Sequence, residues 1–154
     1  MRWLCLVCIL LLCLAVGALG GRSTASQIPT WYQSLNRPAI APPNWLFAPV
    51  WTLLYCLMAV AVWRIFLLPP SPARTLAITL FFLQLALNAL WSPLFFTLHQ
   101  IGFAFAELCL LWLAIVAATY VYSCMDSLAA ALMLPYVAWV SFAGVLNFFY
   151  WRLN

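Results

Sequence analysis

Two side-chain carboxylates, Glu107 and Asp126, one histidine, His99, and six cysteines are the residues of this 154-residue chain that could transfer protons, bind metal or attack a substrate. Two carboxylates suit general acid and base work only when both reach one substrate. Here they stand 19 positions apart, toward the two ends of one helical run and its closing turn, about 28 Å at a rise of 1.5 Å per residue. They cannot act as a pair. His99 falls in a turn between apolar runs, where an interfacial role suits it better than that of a base. The cysteines (Cys5, Cys8, Cys13, Cys56, Cys109, Cys124) all lie within or at the ends of apolar runs. Cys5 and Cys8 form a C-x-x-C, but a zinc site needs about four ligands and no further candidates stand near them. The cysteines read as small buried hydrophobes, and no metal ligand is assigned. With no glycine-rich phosphate loop either, ordinary acid–base or nucleophilic catalysis lacks its parts.

The composition explains why so little polar chemistry is present. Hydrophobic residues make up 69% of the chain, aromatic residues 17% and charged residues only 5%, against roughly a quarter charged in a soluble domain. Mean hydropathy is +1.11. A soluble globular enzyme is excluded. The net charge of +4 comes from six arginines with no lysine, scattered singly, so neither a nucleic-acid face nor a polybasic lipid-binding cluster is present. Arg2, Arg64 and Arg74 fall on one side of the spans and Arg22, Arg37 and Arg152 on the other. The positive-inside rule therefore sets no orientation.

A membrane-spanning helix needs roughly 20 apolar residues, and the chain divides into five such runs: 3–20, 45–68, 73–97, 101–124 and 128–151. The first reads as a retained span, being long for a secretory signal; a signal cleaved at Ala-x-Ser is the alternative. Gly17 and Gly21 within it form a G-x-x-x-G that lets a second helix approach. Residues 22–44 read as a polar connection whose prolines forbid regular helix and whose Trp31 and Tyr32 suit the membrane interface. A connection this long and this rich in aromatic and proline residues reads as an ordered lid. Asn44 is expected to cap the second span, with Pro49 in its first turn. Short turns at Pro69–Pro72, His99–Gln100 and Met125–Ser127 make the last four spans antiparallel neighbours. The expected fold is all-α: one domain over residues 1–154, five transmembrane helices with a long first loop as lid.

Polar side chains are costly in lipid and turn toward the bundle. Gln84, Asn88, Trp91 and Phe95 recur at steps of four, three and four, on one helical face. Phe47, Trp51, Tyr55 and Met58 do the same on the second span, and Trp139, Ala143, Leu146, Asn147 and Tyr150 on the fifth. Aromatic rings mixed with a few hydrogen-bonding groups suit a flat, mostly apolar ligand. Helix–helix packing with Asn and Gln as glue accounts for the same spacing. Glu107, the one carboxylate at depth, reads as a proton-coupling group or partner of a ligand amine, or as a neutral hydrogen-bonded group near the helix end.

The segment Trp31-Tyr32-x-x-Leu35-x-Arg37-Pro38-x-x-x-Pro42-Pro43, followed by Phe47-x-x-Val50-Trp51-x-x-x-Tyr55, resembles the first loop and second helix of the translocator protein family, also called tryptophan-rich sensory proteins or peripheral-type benzodiazepine receptors. Gln84-Leu85-Ala86-Leu87-Asn88-x-x-Trp91-x-x-x-Phe95-Phe96 is similar to its third helix. Leu134-Pro135-Tyr136-x-Ala138-Trp139-x-x-Phe142-Ala143-x-x-Leu146-Asn147, then Trp151-Arg152, is similar to its fifth. The motifs run in order over residues 31–152.

The resemblance implies five helices around a pocket closed by the first loop, with Trp31, Arg37, Pro38, Pro42 and Pro43 in the lid. It implies binding of porphyrins such as protoporphyrin IX and haem, of sterols and of benzodiazepine-site drugs, with no required cofactor beyond porphyrin or haem as ligand. By position, the family's pocket falls on Trp51, Asn88, Phe103, Ala106, Leu110, Trp139, Ala143, Leu146 and Asn147; Tyr55 and Trp91 join them from the helix faces above. The implied location is a bacterial membrane, or the mitochondrial outer membrane in a eukaryote. Ile40 stands where the family usually has tryptophan, Glu107 replaces a common aspartate, and Phe103 a tryptophan of animal members. Thr79 and Leu83 replace the small residues of a dimer seam known in some members, and a homodimer stays open. A sterol-type pattern, Leu146-x-x-x-Tyr150-x-Arg152, stands at the end of the fifth span. Three functions follow: sensing or translocation of bound tetrapyrrole, light- and oxygen-dependent degradation of porphyrin with Trp51 and Trp139 as redox residues, or a sterol-binding or scaffolding role.

Overall fold

The computed structural model describes residues 2–154 and contains five long helices. Helix α1 spans Arg2–Gln27 and runs on through a π-helical turn, Ile28–Tyr32. Helix α2 is Phe47–Phe66, α3 is Pro72–Ser92 with a π-helical turn Pro93–Thr97 behind it, α4 is Ile101–Ser123 and α5 is Ser127–Leu153. All five are long and apolar enough to cross a membrane. Contacts run from α1 to α2, α2 to α5, α5 to α4, α4 to α3 and α3 back to α1, closing a ring.

The expected connection over 22–44 is corrected at its first half. Residues 22–34 continue the helix, and irregular chain occupies only 35–43. The polar residues stay helical because their hydroxyls bond back to carbonyls of the same helix: Ser23 to Leu19, Thr24 to Gly20, Ser26 to Ser23 and Thr30 to Gln27. Pro29 sits at the start of the wider π-helical turn, which absorbs its missing N–H. A long loop covering the bundle is therefore not what the structure shows. Asn44 is also corrected: α2 opens through a 3-10 turn, Asn44–Leu46, and the Asn44 side chain caps nothing, its buried Oδ1 having no partner.

The other ends follow the sequence. Ser71 Oγ accepts from the N–H of Arg74, and the Arg74 guanidinium donates to the carbonyls of Ile65 and Phe66 where α2 ends, the Ile65 carbonyl also accepting from the Leu68 N–H. His99 takes a positive φ of 55° between α3 and α4, a conformation that histidine tolerates better than most residues. Asp126 Oδ1 accepts from the N–H of Ala129 at 2.9 Å to cap α5, while Oδ2 pairs with Arg64 of α2 at 2.8 Å. Burial alone would raise the Asp126 carboxyl, but the Ala129 N–H and the Arg64 guanidinium outweigh it and hold the carboxyl below its ordinary value. A carboxyl lowered by folding stabilises the fold above its unfolded range and loses that contribution as pH falls through the folded value. Thermal stability should therefore fall on acidification, and Asp126→Asn should remove this part of the slope.

Helix α1 is a packed member of the bundle, with Cys13 and Ile9 buried. Of its two spaced glycines only Gly17 makes a close approach: a Cβ there would lie 2.5 Å from Cε2 of Tyr55, whereas one at Gly21 would meet nothing within 4 Å. Tyr55 is held by a hydrogen bond to Asn88 and cannot swing aside freely. Gly17→Ala should cost about 1–3 kcal/mol by overpacking, and Gly21→Ala less than about 0.5 kcal/mol in either direction. Unfolding curves of the two variants check this.

Candidate functional site

The inward faces of α2, α3 and α5 meet in a chain of buried polar groups. The Tyr55 hydroxyl donates to Asn88 Oδ1 at 2.5 Å, Asn88 Nδ2 donates to the Tyr136 hydroxyl at 2.9 Å, and Tyr136 donates to Gln84 Oε1 at 2.9 Å. Gln84 and Asn88 are both buried. In lipid such groups have no water to fall back on, so the partners fix the rotation of three helices about their axes. A second relay lies nearer the loop: Trp91 Nε1 donates to Asn147 Oδ1 at 3.1 Å, and Asn147 Nδ2 donates to the Ile101 carbonyl at 3.0 Å. It ties α3 and α5 to the start of α4.

Aromatic rings surround these relays. Trp51 lies 5.7 Å from Tyr55 and 6.2 Å, edge-on, from Tyr136. Trp139 lies 6.0 Å from Phe47 and 5.7 Å from Phe142. Both tryptophans are half-buried, as is Ala143 one turn beyond Trp139. Trp51, Tyr55 and Asn88 are thus linked through Tyr136, with Trp139 and Ala143 on the same helix as that tyrosine. Trp91 stacks on Phe95 at 5.2 Å. Tyr136 is the residue that the sequence faces left out. It stands one turn before Trp139 at the same spacing, which was signal enough to find it.

At the loop end, Leu146 and Tyr150 pack with Tyr32, Phe95, Phe96 and Ala104. The Tyr150 hydroxyl donates to that of Tyr32 at 2.7 Å, and Trp31 stacks on His99 at 4.1 Å. The short loop is fastened to the end of α5: the Asn36 N–H donates to Asn154 Oδ1 at 2.8 Å and Asn36 Nδ2 to the Leu153 carbonyl at 3.0 Å. Arg37 turns inward on the loop, donating to the Pro42 carbonyl at 2.6 Å. Pro38 is buried and Pro42 half-buried, while Pro43 and Arg37 are exposed.

Three positions are not brought to this assembly. Phe103 and Leu110 are 71% and 58% exposed, and Ala106 is exposed beside them, all on the outer side of α4. Its inner side carries Ala104, Glu107, Leu108 and Leu111 instead. The sterol-type pattern is divided too: Leu146 and Tyr150 point inward and Arg152 outward. An open groove of about 580 Å³ follows the outer seam of α4 and α5, lined by residues such as Phe105, Trp112, Gly144 and Phe148 and by none of the candidate residues. Among the described residues no group of three His, Cys, Asp or Glu side chains converges to hold a metal.

Five spanning helices, wired through their interior by amides and phenols and lined by half-buried indoles, define an integral membrane protein with an aromatic, weakly polar core. The sequence matches the TspO/MBR family model over residues 9–152, and the chain belongs to that family. It is 40% identical to the tryptophan-rich protein TspO of Archaeoglobus fulgidus over 157 aligned positions, covering 100% of this chain and 99% of the relative. It is 38% identical to protein CrtK of Rhodobacter capsulatus, covering 92% and 88%. Likeness extends to the translocator protein of Bos taurus, 37% identical over 90% of this chain and 83% of the relative.

Proposed function

We propose that this chain is a membrane binding protein for tetrapyrroles such as protoporphyrin IX and haem, acting in sensing or translocation. The observation that supports the reading is that Trp51 on α2 and Trp139 on α5 are half-buried indoles, Trp51 6.2 Å from the Tyr136 ring that bonds to Asn88 and Trp139 one turn beyond Tyr136 on α5. Indole faces stack on a flat macrocycle, and relatives named as sensory and translocator proteins fit both modes of action. In this reading residues 35–43, fastened to the end of α5, act as a small lid whose prolines lower the entropy of holding one shape. Sterols and benzodiazepine-site drugs are further apolar ligands of the same kind, and a homodimer is compatible with it.

Protoporphyrin IX should quench the intrinsic tryptophan fluorescence saturably, with affinity on the order of −8 kcal/mol, near micromolar. Trp139→Ala should weaken binding about three- to tenfold, the worth of one ring contact at 1.4 kcal/mol per decade. Non-saturable quenching, equal in wild type and variant, would refute the reading.

A further inference from the structure

Glu107 lies on the inner side of α4, only 6% exposed, and neither carboxyl oxygen has a hydrogen-bond partner. It is the one formally charged residue type among the buried polar side chains. The elements packed on α4 are α3, α5 and the turn Pro93–Thr97. From α5 the inward titratable groups are Tyr136 and Tyr150. Their hydroxyl protons are already given to Gln84 and Tyr32. From α3 the inward polar groups are the neutral Gln84 and Asn88, and Arg74 at its far end is spent on the carbonyls closing α2. The turn Pro93–Thr97 carries no titratable group. Arg64 is paired with Asp126, Arg2, Arg22, Arg37 and Arg152 are exposed, and His99 stands in the turn.

Among the described residues no protein cation or donor is therefore placed against a carboxylate at this position, and an ionised carboxylate in an apolar interior is not tolerated without one. We propose that Glu107 is a proton-binding site within the bundle: the carboxyl carries its proton at neutral pH and makes the charge of the interior depend on proton uptake. The buried amides of α3 and α5 and the phenols of Tyr55, Tyr136 and Tyr150 hydrogen-bond to protein partners, and on α4 itself the buried Tyr122 hydroxyl, 15 positions beyond Glu107, has no partner. Glu107 is the one unpartnered carboxyl among the buried side chains of the described residues.

The sequence makes the test unusually clean, because Glu107 is the only glutamate and Asp126 the only aspartate. Full-length protein in lipid nanodiscs, labelled with carbon-13 at the glutamate carboxyl, is examined by infrared spectroscopy at neutral pH. The proposal predicts a carboxylic acid C=O band that shifts down with the label and again in D2O. The band should be lost in Glu107→Gln and kept in Asp126→Asn. Since neither oxygen is bonded, Glu107→Gln should unfold no earlier than wild type; the isotope shift decides the matter in wild-type protein even if a variant fails to fold. A labelled carboxylate band with no acid band at neutral pH overturns the proposal, as does an acid band that the glutamate label leaves unmoved.

Discussion

Asn88→Ala is expected to cost the bundle about 2–4 kcal/mol, the largest loss of any single polar truncation in the interior. Asn88 accepts from Tyr55 through Oδ1 and donates to Tyr136 through Nδ2, so removing it leaves the Tyr55 hydroxyl without a partner and takes from Tyr136 the bond it accepts, while Tyr136 keeps its own donation to Gln84. Each stranded group costs about 1–3 kcal/mol where water cannot replace the partner. A hydrogen bond between membrane helices is often worth only about 0.6 kcal/mol, because separated helices find other partners. Here the phenols stay inside a packed ring, and the orphan cost applies instead. Tyr55→Phe removes one end of the same chain and should cost distinctly less. Unfolding in a denaturing detergent series measures both; an Asn88→Ala loss below about 0.5 kcal/mol would mean that the relay does not hold α2, α3 and α5 together.

Much of this arrangement was legible in the residues. The five spans follow from apolar runs broken by proline, histidine and aspartate, and the faces of α2, α3 and α5 from polar residues recurring every three or four positions among apolar ones. Gln84, Asn88, Trp91 and Asn147 all turn inward or into the relays on that ground. The end of α1 was not legible, because serine and threonine read as loop by composition while their hydroxyls, satisfied on their own helix, permit its continuation. The face of α4 was not legible from periodicity either. It is apolar on every side, and such a helix gives no stripe to follow. Resemblance placed Phe103, Ala106 and Leu110 toward the ligand, and the structure turns them outward. Glu107 was the available cue, since a carboxylate on an otherwise apolar helix belongs on the inner side, and that is where it lies.

Ala143→Leu is expected to weaken porphyrin binding at least tenfold, about 1.4 kcal/mol, while leaving the ligand-free protein nearly as stable as wild type. Ala143 is half-buried on the face of α5 that carries Trp139, Leu146 and Asn147. Ala143 packs partly buried against the core of the bundle, and a small side chain there is what gives a ligand room beside Trp139. Leucine would occupy that space, and the ligand would lose it. Were Ala143 instead pressed against a neighbouring helix, leucine would overpack it and cost about 1–3 kcal/mol of stability without ligand.

Titrating wild type and Ala143→Leu with protoporphyrin IX in nanodiscs, beside ligand-free thermal unfolding of each, tests most directly whether the ligand sits among α2, α3 and α5. The account predicts saturable binding near micromolar in wild type, at least tenfold weaker binding in the variant, and closely matched ligand-free unfolding. Early unfolding of the variant, with unchanged affinity per folded molecule, would contradict it.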